Sequence, residues 1–482
     1  MKNLNTLLLV IFLSGCFSGP GNEDITYKKF KTAALKEDIK ILQGIITDMH
    51  AGAYTYNTPA GLNHLFDSIG LSLTHSLNTR EFYTKVDYIL DRLKCLHSVA
   101  SLPDNYYDSI SKRAVFFPFS LITIDQKLYV NSDVQTIPLG TEILSVNGIR
   151  SKDIIGQLEN FYHTDGYSAV AKKNAIDEDF VYDFFLAYGG SPDFTITYFN
   201  DSTKTTDTKI YYGEKLNDAY GVSTAFFYYP TDVDYDLELN DSLQLATITV
   251  RTFTYESENG MNAYKNFLQN SFRLIKQSRI KNLVIDIRNN SGGYYDAAYT
   301  LLSYLVNKTL PQFDSSMQRF KQLTYTRYID EADTGKITGE DTAWYKYTKL
   351  NNHLYKLHDD EISKWKPRPD IFTGRIFVVV NGHVLSAASL FTSVLKDKTN
   401  ALVIGEETGG SNDIHNSSTL SFVLPNSKIK VDVPLRSFYQ PVNKKHMGRG
   451  VIPDKTIPFT VKDLKENRDR PMAYILDSIL IK

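Results

Sequence analysis

The residues best placed to do chemistry in this sequence surround Ser386. The run Val378-Val379-Val380-Asn381-Gly382-His383-Val384-Leu385-Ser386-Ala387-Ala388-Ser389 reads as a buried strand, a short turn and a helix start. An apolar helix face of Ala387, Ala388, Leu390, Phe391, Val394 and Leu395 sets Ser386 at the helix N-terminus. There, free backbone N–H groups and the positive end of the helix dipole favour a developing oxyanion, which suits a nucleophile. Serine is also a good N-cap, and on spacing alone that is the simpler role. A second segment, Asp286-Ile287-Arg288-Asn289-Asn290-Ser291-Gly292-Gly293, is again a buried strand ending in a turn before a helix. Its two glycines let backbone N–H groups approach a ligand closely, so it can supply the other half of an oxyanion hole.

The elements that must hold these turns form an alternating series. A strand at Leu243 to Val250 precedes a helix at Asn259 to Gln277. The strand Leu283 to Ile287 precedes a helix with Ala297, Ala298, Leu301, Leu302 and Leu305 on one face. Ile376 to Val380 leads to a helix over Ser386 to Asp397, and Leu402-Val403-Ile404 follows. Continuous apolar strands alternating with helices predict an α/β layer architecture. A charged, Tyr- and Trp-bearing insertion at 312–370 interrupts it, either as a lid or groove wall or as a solvated excursion.

The two segments, in this order, resemble the carboxyl-terminal processing and tricorn-type serine peptidases. That family's marks are a strand ending "Asp-x-Arg-x-Asn-x-Gly-Gly" and a "Ser-Ala-x-Ser" helix start. The similarity continues through Gly405-Glu406-Glu407-Thr408-Gly409-Gly410 and Gly448-Arg449-Gly450-Val451-Ile452-Pro453-Asp454. The resemblance implies a crotonase-like α/β catalytic core (a ββα spiral) behind a PDZ-like β-rich domain, and cleavage of peptide bonds. It also implies Ser386 as nucleophile, with the N–H groups of Gly293 (or Gly292) and Ala387 as the oxyanion hole.

The processing-protease branch places a lysine 25 positions after the serine, where this chain has Ser411. The tricorn-like branch uses a histidine from before the PDZ-like region, and Lys94-Cys95-Leu96-His97-Ser98 stands at the matching place. His97 is therefore the expected general base, because a neutral imidazole can take the serine proton and return it to the leaving amine. The acid that orients this histidine in the family corresponds to Met447, beside His446. Glu406 and Glu407 are the alternatives for that role, and Ser98 could assist by hydrogen bonding. Cys95 could pair with His97 for covalent chemistry, although a buried structural thiol is the plainer reading.

Helical periodicity over 26–112, with Ile39, Leu42, Ile45, Ile46 and then Phe82, Val86, Ile89, Leu90, Leu93, predicts an N-terminal helical domain. Short alternating runs over 113–212, including Gly140-Thr141-Glu142-Ile143-Leu144-Ser145-Val146-Asn147-Gly148, predict a β-rich domain, with Asn147-Gly148 as a hairpin turn. That nine-residue stretch resembles the PDZ fold; any small β-domain with a hairpin would also fit. Residues 213–482 would form the peptidase-like core.

At the start, Met1-Lys2-Asn3 and the apolar run Leu7 to Leu13 end in Leu13-Ser14-Gly15-Cys16. The run is much shorter than the ~20 residues of a spanning helix and reads as an export signal. Leu-Ser-Gly-Cys resembles a bacterial lipobox, which makes residues 1–16 a lipoprotein signal, Cys16 the lipid attachment site and 17–25 a tether. The expected location is then the bacterial cell envelope, lipid-anchored and facing the periplasm or the surface. Lys and Arg total 53 against 55 Asp and Glu, a net charge of −2 with the signs interspersed, so no nucleic-acid partner is indicated. With two cysteines and Cys16 lipidated, Cys95 has no disulfide partner. No His, Asp or Glu cluster has ligand spacing, so neither metal nor cofactor is expected. The partners expected are a peptide or protein substrate, bound as an extended strand, and a membrane. A catalytically degenerate peptide-binding lipoprotein of the same fold is the competing function, because the orienting acid is missing. A hydrolase using the same pair on a non-peptide ester or amide is a third.

Overall fold

The computed structural model describes residues 28–132, 137–221, 233–255, 257–337, 346–351 and 353–480. The segments expected to be signal and tether, residues 1–16 with Cys16 and residues 17–25, lie outside them. Among the described residues no helix is long and apolar enough to cross a membrane.

The chain enters through α1 (Thr32–Met49), α2 (Pro59–Ser72) and α3 (Thr79–Leu93). A capping box starts α3: Asn78 accepts from the Glu81 amide while the Glu81 carboxylate accepts from the Asn78 amide. Its buried stripe contains Phe82, Val86, Ile89, Leu90 and Leu93, the 3-and-4 spacing seen in the sequence. Lys94 ends it in the left-handed region at φ 54°, which throws the chain out of the helix and into the turn carrying His97.

Next comes an antiparallel sheet in spatial order β1 (Leu121–Ile124), β2 (Lys127–Val130), β3 (Glu142–Val146), β4 (Asp193–Asn200), β5 (Thr205–Tyr212). Asn147 and Gly148, both at positive φ, make the expected two-residue turn, closed by pairing of Val146 with Ile149. The region also holds two helices that its alternating pattern did not announce, α4 (Ser151–Leu158) and α5 (Ala169–Tyr188). Their core with the sheet is aromatic: Phe117, Phe119, Phe180, Phe184 and Phe194 are all buried together.

The third layer system is a six-stranded sheet in the order β6 (Tyr235–Asn240), β7 (Leu245–Val250), β8 (Asn282–Asp286), β12 (Arg375–Val380), β13 (Leu402–Gly405) and β16 (Lys455–Thr456). Only the β6–β7 pair is antiparallel. Helices α6 (Glu258–Gln277), α7 (Tyr295–Leu302) and α8 (Ser386–Lys398) share the core on one face, where Leu283, Ile285, Ile376, Val378 and Val380 point. The alternate residues Val284, Phe377 and Val379 pack on the other face with Ile475. Burial on both faces is why these strands read as unbroken apolar runs.

The insertion is partly sheet rather than a free excursion. Its strands β9 (Ser315–Gln318), β10 (Tyr347–Asn351) and β11 (Leu354–Leu357) extend the long hairpin of β14 (Ile414–Val423) and β15 (Lys430–Tyr439), with β9 paired to β15. Leu420, Phe422, Val431 and Val433 of that hairpin share one buried core with α1 and α3. The entry helices are thereby packed onto the same body that carries α8.

Candidate active site

The strands β8 and β12 lie side by side and parallel, so their C-terminal ends deliver the Gly292-Gly293 loop and the Ser386 turn to one edge. Crevices beyond the carboxyl ends of parallel strands are the usual ligand sites of such sheets. Paired asparagines stitch the two loops together. The Asn289 amide donates to Asn381 Oδ1 at 3.1 Å, and Asn381 Nδ2 donates to Asn289 Oδ1 at 2.6 Å. Asn290, fully buried, donates through Nδ2 to the Val250 carbonyl at 3.1 Å, and its carbonyl accepts from the Leu385 amide at 3.1 Å.

Ser386 is the first residue of α8, but the N-cap is Leu385, and no side chain caps the helix. The capping alternative is therefore not the role of this serine. Its backbone instead sits at φ 45°, a left-handed conformation that a non-glycine residue adopts at a cost of about 1–3 kcal/mol. Its Oγ lies 3.2 Å from Nε2 of His97, a residue 289 positions earlier in the chain.

The two glycines differ in what their amides do. The Gly292 N–H is bonded to Asn290 Oδ1 at 2.9 Å. The Gly293 and Ala387 amides, by contrast, donate no hydrogen bond among the described residues. Both loops approach so closely that a Cβ on Gly292, at φ 99°, would stand 2.8 Å from the Ser386 Cβ and 2.9 Å from the Ala387 nitrogen. A Cβ on Gly293, at φ 131°, would meet the Phe253 carbonyl carbon at 2.4 Å. Glycine is required at both positions by conformation and by space.

Burial of the His97 ring draws its pKa down to about 4, so the imidazole is neutral near pH 7 and Nε2 can accept a proton. Its Nδ1 is buried without a hydrogen-bond partner among the described residues. Neither proposed acid reaches it. Glu407 is held by Arg449, with Nε to Oε1 at 2.9 Å, and by the Gly450 amide at 2.8 Å. Glu406, which is buried, faces Lys173 at 3.6 Å. These glutamates join the Gly405–Gly410 loop to its surroundings, which accounts for the motif without a proton-transfer role. Ser98 does not assist His97 either, since its Oγ bonds His50 Nε2 at 2.7 Å. Met447 at the expected acid position is 74% exposed. Ser411, where the other branch has lysine, is buried and donates to Asp413 Oδ1 at 2.9 Å.

Cys95 is buried, its thiol pushed up to about 12 mainly by burial, which makes it an inert structural thiol. Behind His97 lies a group the sequence did not signal. His415 is buried, drawn down to about 3 by burial and by nearby His97; its Nε2 meets the Tyr295 hydroxyl, and its Nδ1 accepts from Gln440 Nε2 at 3.3 Å. These residues come from α7, β14 and the segment after β15, and only the fold brings them together.

Residues 244–457 match the family model described as peptidase family S41. The fold is similar to that of mature CPAF complexed with lactacystin, with a TM-score of 0.63 at 15% identity, covering 93% of this chain and 97% of that one. Mature CPAF alone gives 0.62 at 16% identity, covering 92% and 96%. No curated protein matches the chain at a significant level. The matched stretch contains both glycine and serine loops, whereas His97 reaches the site from outside it. That stretch is of peptidase family S41, and it makes the chain a serine-type peptidase.

Proposed function

We propose that the chain is an envelope-anchored serine endopeptidase in which Ser386 is the nucleophile and His97 its general base. The observation that carries this reading is the 3.2 Å contact between Ser386 Oγ and a neutral His97 Nε2, beside two amides that donate to no group among the described residues. In the reaction, Ser386 Oγ donates its proton to Nε2 as it attacks the acyl carbon of an extended peptide. The oxyanion is received by the N–H groups of Gly293 and Ala387, at the positive end of α8. The imidazolium then returns its proton to the leaving amine, and water repeats the sequence on the acyl-enzyme. The core of 213–482 is read as crotonase-like and the domain of 113–212 as PDZ-like. The antiparallel sheet, six-stranded with the short Ile149–Arg150 strand included, and its two helices support the latter. Residues 26–112 are read as the helical domain that supplies His97.

Treatment of the purified protein with a fluorophosphonate tests the chemistry. The adduct should map to Ser386, and His97→Ala should slow its formation by about 10³-fold. A folded protein that takes up no phosphonate would leave a peptide-binding role for this fold.

The lipobox-like Leu13-Ser14-Gly15-Cys16 supports a lipid anchor in the bacterial envelope. Cys16→Ser should move the protein from the membrane fraction to the soluble fraction. Unchanged membrane association would remove Cys16 as the anchor.

A further inference from the structure

The site has a histidine whose Nδ1 has no partner among the described residues and a family acid position filled by an exposed methionine. The segment lying between those two features is 163–168, which is buried at His163, Thr164, Asp165 and Ser168. On one side it grips the His97 turn twice: Asp165 Oδ1 accepts from the Leu96 amide at 3.0 Å, and the Gly166 amide donates to the Lys94 carbonyl at 3.0 Å. On the other side it lies against the loop next to Met447. There the Tyr167 amide donates to the Gly448 carbonyl at 2.8 Å, and a Cβ on Gly166 would stand 2.4 Å from the Gly448 Cα. A carboxylate in this place can do through the backbone what the missing acid would do through the ring.

We propose that Asp165 is the positioning acid of this site: it fixes the His97 turn opposite Ser386 and sets a negative charge against the turn that carries the imidazolium when Ser386 gives up its proton. The proposal rests on the assignment of Ser386 and His97 above. The Asp165 carboxylate is 2% exposed. Tyr56, Cys95 and Tyr295 face it, each pushed up by burial and so uncharged near pH 7, together with Asp413. Burial, with a smaller contribution from Asp413, raises the Asp165 carboxyl to about 7, against the opposing hydrogen bonds from the Leu96 and Ser411 amides. Its charge is thus present above about pH 7 and lost below it, whereas His97 stays neutral down to about 4. The acid limb of catalysis should then have two steps.

The test is the rate of Ser386 phosphonylation by a fluorophosphonate from pH 4 to pH 9. The expected parent profile falls about tenfold through a step near pH 7 and to background through a second near pH 4. Asp165→Asn, which keeps an acceptor for the Leu96 N–H, should run at the lower rate throughout and lack the upper step. A purely structural role would not move that step. A parent profile with a single step near pH 4, or an Asp165→Asn profile identical to the parent's, overturns the proposal while leaving Ser386 as nucleophile. Because the parent profile decides by itself, the test holds even if the variant folds poorly. No labelling of Ser386 at any pH would remove the nucleophile and Asp165 together.

Discussion

Ser386→Ala should reduce peptide hydrolysis by at least ~10³-fold while changing stability by no more than about 0.5 kcal/mol. The two halves of that expectation come from different features of one residue. The Oγ is the atom in contact with His97, so its removal takes away both the nucleophile and the proton that the base would accept. The side chain makes no helix cap, since the N-cap is Leu385, and it is only half-buried. Alanine would adopt the same left-handed backbone at φ 45° with the same strain, so nothing in the folded state is relieved or lost beyond one hydroxyl. Removing one member of a serine–base unit usually costs nearly as much as removing all, because the members act together. The oxyanion donors would remain, and they account for whatever residual rate survives. The measurement is kcat/KM on a peptide substrate alongside the melting temperature. Retained turnover would move the nucleophile elsewhere; a large fall in stability would mean that Ser386 is a scaffold residue.

The parts of the site that lie close in sequence were legible from residue types. A strand buried on both faces leaves an unbroken apolar run, and a turn that approaches a neighbouring loop needs glycine, so Ile376 to Ser386 and Asp286 to Gly293 each announced their shape. The helix expected over Asn259 to Gln277 is observed at Glu258–Gln277, and that over Ser386 to Asp397 at Ser386–Lys398. Helix α5 was hidden for a physical reason. It is gripped by two cores at once, with Ile176, Phe180 and Phe184 in the aromatic core and Val181, Phe185 and Leu186 in the core of the entry helices. Apolar residues around several faces leave no single stripe to read. Asp179, with non-helical dihedrals, interrupts its periodicity as well. The roles of the carboxylates were also not legible. Glu406 and Glu407 both read as acids near a catalytic motif, Asp165 gave no signal at all, and only their partners, Lys173, Arg449 and the Leu96 amide, tell them apart.

Asp286, the first residue of the glycine-loop motif, shows how much of such a motif serves the scaffold. Asp286→Ala should cost about 3–5 kcal/mol of stability, the range for removing one partner of a buried ion pair. The carboxylate is 4% exposed and accepts from Arg288 Nη2 at 2.7 Å, Arg288 Nε at 3.0 Å and Arg251 Nη1 at 3.1 Å. Burial alone would raise this carboxyl, and the two guanidiniums overcome it and hold the group well below the ordinary carboxylate range. With a folded value depressed below the unfolded one, its contribution is fully present above the unfolded carboxylate range. It is lost only as pH falls below that range. Alanine would leave two arginines facing each other at the end of β8, with Arg288 still tied to Asp469 at 3.0 Å and Arg251 still bonded to the Arg288 carbonyl at 2.9 Å. Because Arg288 leads directly into Asn289, Asn290 and Gly292, the disturbance would reach the loop that carries the Gly293 amide. The expected result in denaturant is a lower midpoint with an unchanged slope, accompanied by a loss of activity larger than the unfolded fraction explains. A destabilisation below about 1 kcal/mol would show that water or local rearrangement satisfies the arginines, and that the motif's aspartate does not hold the loop in place.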